Sequence, residues 1–299
     1  MGFFEKHLTW WVLGCIAVGI LVGKLAGSSI EVLSQMELAN VNIPVALLVW
    51  LMIYPMMVQI YFSSIKDVRR NPKGLALTLI INWLIKPFSM AFFAWLFFQK
   101  LYLAYLDPAL AKEYVAGAIL LGAAPCTAMV FVWSYLTKGD PEYTLVQVSI
   151  NDLVLLFAFI PLVQFLLCVT NIAIPFDTLF YSVFLFVVVP LVAGYLSNRI
   201  LIGKYGETWF KQVFLARLKP ISITALLTTL VLLFAFQGDK ILSAPFDILL
   251  IALPLVIQTY FIFFLAWTFG RKMQLPHKIL SPGAMIGASN FFELAVAVA

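Results

Sequence analysis

Apolar residues run through this chain in long blocks separated by short polar segments. Nine blocks are counted, with approximate limits 7–26, 41–62, 75–98, 114–136, 143–170, 179–196, 220–236, 248–269 and 279–299. Several reach or exceed the roughly 20 residues that an α-helix needs to cross the hydrocarbon core of a bilayer. They are too long for strands and lack the alternation of an outer-membrane barrel. The pattern predicts an all-α polytopic membrane protein with nine visible spans.

Composition agrees. The chain is 63% hydrophobic and 11% charged, against about half apolar and a quarter charged in ordinary soluble domains. The net charge of +5 does not point to nucleic acid, because the basic residues sit in short segments between apolar blocks. They read as topology determinants. Lys6, Lys66, Arg69, Arg70, Lys73, Lys138, Arg199, Lys204, Lys211, Arg217, Lys219, Arg271, Lys272 and Lys278 fall on one side by parity. Only Lys24, Lys100, Lys112 and Lys240 fall on the other. The positive-inside rule then places the N-terminus in the cytoplasm of a multi-pass cell-membrane protein. The first block follows Lys6 and reads as a retained helix, since further spans follow it. The last block runs to Ala299 without a loop or charged tail, so a tenth helix is expected to be missing. Cys15, Cys126 and Cys168 all lie in apolar blocks without a CxxC or Cys/His cluster, which argues against a disulfide framework or a zinc site. Cys15, Gly19 and Gly23 form a small-residue pattern suited to close helix packing.

Two stretches look alike. Gly122-Ala123-Ala124-Pro125-Cys126-Thr127-Ala128 lies in the fourth block and Gly287-Ala288-Ser289-Asn290-Phe291-Phe292-Glu293 in the ninth. Upstream of each, Phe92-Phe93-Ala94-Trp95 echoes Phe263-Phe264-Leu265-Ala266-Trp267. An odd offset of five blocks between matches gives the halves opposite orientation, the mark of an inverted repeat. The repeats are expected at 1–170 and 171–299, the second incomplete. Pro125 removes a backbone donor, and Gly122 and Gly287 weaken helix at corresponding places. Broken helix is tolerated in a membrane only where it is buried in protein or lines a cavity.

Intramembrane polar residues supply the candidate chemistry. Glu293 lies deep in the ninth block beside Ser289 and Asn290. Charges within spans mark ion pathways and proton relays, so Glu293 is a candidate proton carrier or sodium ligand, against the plainer reading of a buried, hydrogen-bonded carboxyl. Thr144, Gln147 and Asn151 form one polar stripe of a helix, widened by Ser149 and Asp152. It serves either transport or helix–helix hydrogen bonding. Lys86, beside Pro87, is the one basic residue inside a span; a structural pair with Asp152 or Glu293 is preferred to a substrate role. Cys126 follows Pro125 at the suspected break. A thiol at a helix N-terminus has more thiolate character, and thiolate prefers soft acceptors, although a lone buried cysteine is usually inert. Gln59, Asn82, Trp133, Gln258 and Thr259 read as packing or helix-pairing residues.

The stretches 122–133 and 287–296 resemble the arsenite efflux permeases of the bile acid/arsenite/riboflavin transporter superfamily, and the resemblance covers essentially the whole chain in segment count and topology. It implies ten helices in two inverted five-helix repeats, with the fourth and ninth helices broken and crossing. It implies an essential cysteine at Cys126, an essential glutamate at Glu293 and a polar asparagine at Asn151. The function expected from it is export of arsenite, and of antimonite, in exchange for protons. Cys126, Asn151, Ser289, Asn290 and Thr127 would bind the cargo, while Glu293 and Asp152 would carry the coupling. No cofactor, nucleic acid or obligatory protein partner is expected; the partners are metalloid, protons and bilayer. The alternative is a sodium-coupled organic-anion symporter on the same fold, with Glu293, Asn290, Ser289, Gln258 and Thr127 as sodium ligands. An intramembrane enzyme with Cys126 as nucleophile would need a nearby base, and His7 and His277 are placed near the interfaces. A passive channel would need no ion gradient.

Overall fold

Asx-Pro dipeptides set the starts of three long helices. Asn71, Asp107 and Asp140 are N-caps, each followed by a proline at the first helical position. The Asp140 carboxylate accepts from the amides of Glu142 and Tyr143 at 3.0 and 3.1 Å. The Asp107 carboxylate accepts from Ala109 N–H at 2.8 Å. Such caps satisfy donors that the first turn leaves unpaired, and proline there removes a donor that has no partner anyway. These helices consequently begin several residues before the apolar blocks do.

The computed structural model describes residues 7–38, 41–59, 71–126, 130–170, 172, 175–243, 245–291 and 295. Thr127 and Glu293, with Lys6, Lys66, Arg69 and Arg70, lie outside the described residues. In chain order the helices are α1 Leu8–Ala26, α2 Ser28–Ser34, α3 Ile43–Met57, α4 Pro72–Leu101, α5 Pro108–Gly122, α6 Val130–Leu136, α7 Pro141–Val169, α8 Phe176–Phe236, α9 Gly238–Ser243, α10 Pro245–Lys272 and α11 His277–Ala288. A two-residue hairpin pairs Glu37 with Asn42 before α3. Helices α1, α4, α7, α8 and α10 are long and apolar enough to cross a bilayer. This is the architecture of a polytopic helical membrane protein.

The chain forms two compact units, Met1–Gln59 with Phe184–Ile248 and Ile60–Val183 with Leu249–Ala299. Each is built from two separate stretches of the chain. In the first unit, α1 and α3 pack on the second limb of α8. The expected small-residue pattern is at work there. A Cβ on Gly19 would lie 2.6 Å from the Val231 carbonyl oxygen, and one on Gly23 would collide with the Ala235 carbonyl. In the second unit, Leu77 and Ile81 of α4, Ile262 and Ala266 of α10, and Leu280 and Ala284 of α11 share one core.

One difference from the sequence reading has a local cause. The basic stretch between the sixth and seventh blocks is helical, not a loop, and bends at Gly206, where φ is +81°. Lysine, arginine and glutamate are good helix formers, and Glu207 pairs with Lys211 at 2.7 Å one turn on. Only the glycine, which tolerates positive φ, interrupts the run. The fourth block is broken where Gly122 and Pro125 led one to expect, α5 ending at Gly122.

The glycine contacts predict opposite outcomes for two substitutions in α1. Gly23→Val should lower the unfolding temperature of the purified protein, at an overpacking cost of about 1–3 kcal/mol. Gly14→Val, where a Cβ meets nothing within 4 Å, should leave it unchanged in the same melt.

Candidate functional site

Pro87 shapes α4 around the site. It has no N–H to donate to the carbonyl four residues back, and its ring crowds that carbonyl. The turn before it widens into a π-helical segment, Ile80–Ile85, and Lys86 N–H bonds to Ile81 C=O five residues back. Such wide turns are frequent at functional sites. Here the segment supplies Asn82 and Trp83, both buried, and leads directly to Lys86, which is 0% exposed.

The break after α5 and the break after α11 pair with one another. Cys126 N–H donates to Ser289 C=O at 3.4 Å, and Phe291 N–H donates to Ala124 C=O at 3.1 Å. This is a short antiparallel ladder in which Pro125 and Asn290 face each other as a non-hydrogen-bonded pair. At such a position the main-chain N–H points away from the partner strand, so the proline costs the ladder nothing. The Ser289 hydroxyl lies 3.1 Å from the Cys126 carbonyl and 2.8 Å from that of Ile286, and donates to one at a time. The break thus recovers within itself bonds that the helices have lost, as burial in apolar surroundings requires.

Lys86 completes this pairing. Its ammonium donates to Ala124 C=O at 3.1 Å and to Ser289 C=O. Each of these oxygens already accepts one ladder N–H, so both lone pairs are used. The sequence suggests a carboxylate partner for Lys86, Asp152 or Glu293; among the described residues its hydrogen bonds go to main-chain carbonyls instead. The Cys126 thiol, 5% exposed, lies within Coulombic reach of this ammonium.

The polar stripe on α7 is a spine of helix–helix hydrogen bonds. Thr144 pairs with Ser134 of α6 at 2.7 Å, and the Gln147 amide donates to Thr78 of α4 at 2.8 Å. Asn151 is the most heavily used. Its oxygen accepts from Asn82 at 2.9 Å and from the Trp83 indole at 3.0 Å, and its nitrogen donates to Gln147 C=O at 2.7 Å. Its second amide hydrogen has no acceptor among the described residues. Trp83 was not legible as a partner of Asn151; the signal was Pro87, which predicts a disturbed turn upstream. Asp152 is buried on the same helix. Helix α11 comes close to the spine because Gly283 and Gly287 carry no side chain. A Cβ on Gly283 would stand 3.1 Å from the Gln147 amide nitrogen, and one on Gly287 would stand 2.8 Å from Ile81 and 3.6 Å from the Asn82 oxygen.

Several buried acceptors in this unit lack a donor among the described residues. They are the side-chain oxygens of Asn82, Gln147, Gln258 and Asn290, together with the Ser149 hydroxyl. Gln258 of α10 reaches Ser89 of α4 through its nitrogen at 3.4 Å, one turn from Lys86. Buried amide oxygens without donors are costly. They fit a site for a solute that brings hydroxyl hydrogens or positive charge. Ser289, Asn290 and Cys126 come together where the two breaks pair, and Asn151 stands in the neighbouring spine.

Residues 46–244 match the model of the Sodium Bile acid symporter family. The chain belongs to this family. Its members are transporters, so the chain is not an enzyme. It is 55% identical to the arsenical-resistance protein Acr3 of Alkaliphilus metalliredigens over 299 residues, covering 100% of this chain and 84% of that protein. It is 31% identical to the arsenical-resistance protein Acr3 of Corynebacterium glutamicum, over 100% of this chain and 80% of that one. An uncharacterized transporter of Synechocystis is 44% identical over the same shares. Within the family the chain groups with the arsenite efflux permeases, as its two motifs predict.

Two substitutions two residues apart on α7 test the spine by thermal unfolding in detergent. Asn151→Ala strips an acceptor from two buried donors and should cost about 1–3 kcal/mol for each. Ser149→Ala removes a buried hydroxyl that has no partner among the described residues, and should be neutral or stabilising.

Proposed function

We propose that this protein exports trivalent arsenite from the cytoplasm in exchange for protons, and handles antimonite in the same way. The observation that carries the reading is Cys126, a buried thiol where the chain break after α5 pairs with the break after α11, in a chain with Acr3 relatives. Arsenite at neutral pH is a small, uncharged hydroxide with a thiophilic centre. A thiol condenses with it to form one sulfur–arsenic bond and release one water, and hydrolysis reverses the step. Soft ligand and soft acceptor match. The Asn290 oxygen, which has no donor among the described residues, would accept a hydroxyl hydrogen from the bound species, Ser289 would offer a lone pair of its hydroxyl, and Asn151 would offer an amide N–H. Thr127 is assigned to the same set from its place beside Cys126 in the chain.

Coupling is assigned to Glu293, with Asp152 as its buried neighbour in role. Uphill export needs such coupling, because a neutral solute gains nothing directly from the membrane potential. Glu293 would take a proton from outside and release it inside, in alternation with cargo. The two inverted repeats, 1–170 and 171–299, would provide alternating access, with the N-terminus cytoplasmic. The second reading, a sodium-coupled organic-anion symporter, has its own support in the family description and in the donorless oxygens of Gln258 and Asn290, which would equally suit a sodium ion.

Inside-out membrane vesicles separate the two readings. Arsenite should accumulate in the lumen only when the lumen is acid, and Cys126→Ala should reduce accumulation to background. Cys168→Ala, at an exposed position, should not. Absence of arsenite flux, or flux indifferent to Cys126, sinks the metalloid reading; sodium-dependent uptake of an organic anion would replace it.

A further inference from the structure

Lys86 is buried completely and is not needed by the thiol chemistry above. Its ammonium lies between carbonyls from two separate chain breaks, 38 and 203 positions away in sequence. Both carbonyls stand at C-terminal helix ends. Ser289 is the C-cap of α11, and Ala124 follows Ala123, the C-cap of α5. A helix C-terminus carries roughly half a negative elementary charge. Two such ends meeting at one point amount to about one, which a single ammonium offsets. In transporters with discontinuous helices, unwound carbonyls and half-helix C-terminal ends are where the coupling cation is held.

We propose that Lys86 is a tethered cation, its ammonium filling the carbonyl cradle between the broken helices that would otherwise bind a mobile monovalent cation. A tethered cation holds the breaks together but cannot be transported. The cradle therefore contributes no sodium coupling, although the family description includes sodium. Removal of the side chain should open a site that small cations can enter. Lys86 is on this view a positioning residue, acting through the main chain of the crossing. The inference rests on the transporter architecture and does not need arsenite as cargo.

The test compares purified full-length protein in sodium chloride, ammonium chloride and N-methylglucamine chloride at equal ionic strength. Thermal unfolding is read without any cargo, so this arm stands whatever becomes of the arsenite reading. The wild type should melt identically in all three salts; a higher unfolding temperature in sodium overturns the proposal by itself, with no variant required. Lys86→Ala should be destabilised in N-methylglucamine and recover in sodium or ammonium. Lys86→Met, which fills the stem space without charge, should be destabilised without recovery, and Lys86→Arg should stay indifferent to the salt. In vesicles, Lys86→Ala should lose at least about tenfold in transport rate and regain part of it with the small cations. An Ala variant that melts and transports like the wild type in N-methylglucamine, or that no small cation restores, overturns the assignment.

Discussion

Main-chain carbonyls set free inside an apolar medium must find donors, and the rest of the second unit is arranged around that demand. Two helices stop within the membrane-spanning region, after Gly122 and after Ala288. Water is not available there to pair with the ends. The breaks satisfy one another through a two-bond antiparallel ladder, and Lys86 supplies the remaining donors from a third helix. A buried ammonium would by itself be prohibitively desolvated. Two helix ends of negative polarity make its position tolerable, and it in turn makes theirs tolerable. Neither half of this arrangement is stable without the other.

The surrounding packing serves the same end. Pro87 widens α4 by one π-helical turn immediately before Lys86, which turns Asn82 and Trp83 toward Asn151. Gly283 and Gly287 let α11 approach the polar spine of α7 until side-chain amides stand against its backbone. Gly122 lies against Met90 of α4, where no Cβ would fit. These small residues reflect helix association in a bilayer, where there is little hydrophobic drive between helices and contact must come from close approach and hydrogen bonds.

Against this well-paired background the donorless oxygens carry functional meaning. A site that saturates every acceptor has nothing to offer a solute. Asn151 is close to that limit, and its contribution is mainly to hold α4 and α7 together. Asn290, opposite Pro125 in the paired breaks, has an oxygen with no donor among the described residues, in the same ladder as the buried Cys126. Local rules of polar satisfaction are broken at the place where two chain breaks meet, which is where proteins commonly trade stability for function.

The sequence by itself determined the class of protein, the places where the helices break and the residue types that gather there. Long apolar blocks require a membrane, and Gly122, Pro125 and Gly287 each act on the backbone within a turn of their own position. Such effects are local and survive in any tertiary context. The helix starts were misread by several residues, because the Asx-Pro caps are polar and fall outside the apolar blocks they begin. The basic stretch around Gly206 read only as a segment between blocks, because charge alone does not distinguish a solvated helix from a turn. Only the tertiary structure decided the partners. Among the described residues Lys86 donates to main-chain carbonyls, and Asn151 accepts from an indole. Those bonds join positions up to 203 residues apart, and no periodicity or propensity reports which face of one helix will meet which break of another. That choice is made by packing, once every buried carbonyl has to be satisfied at the same time.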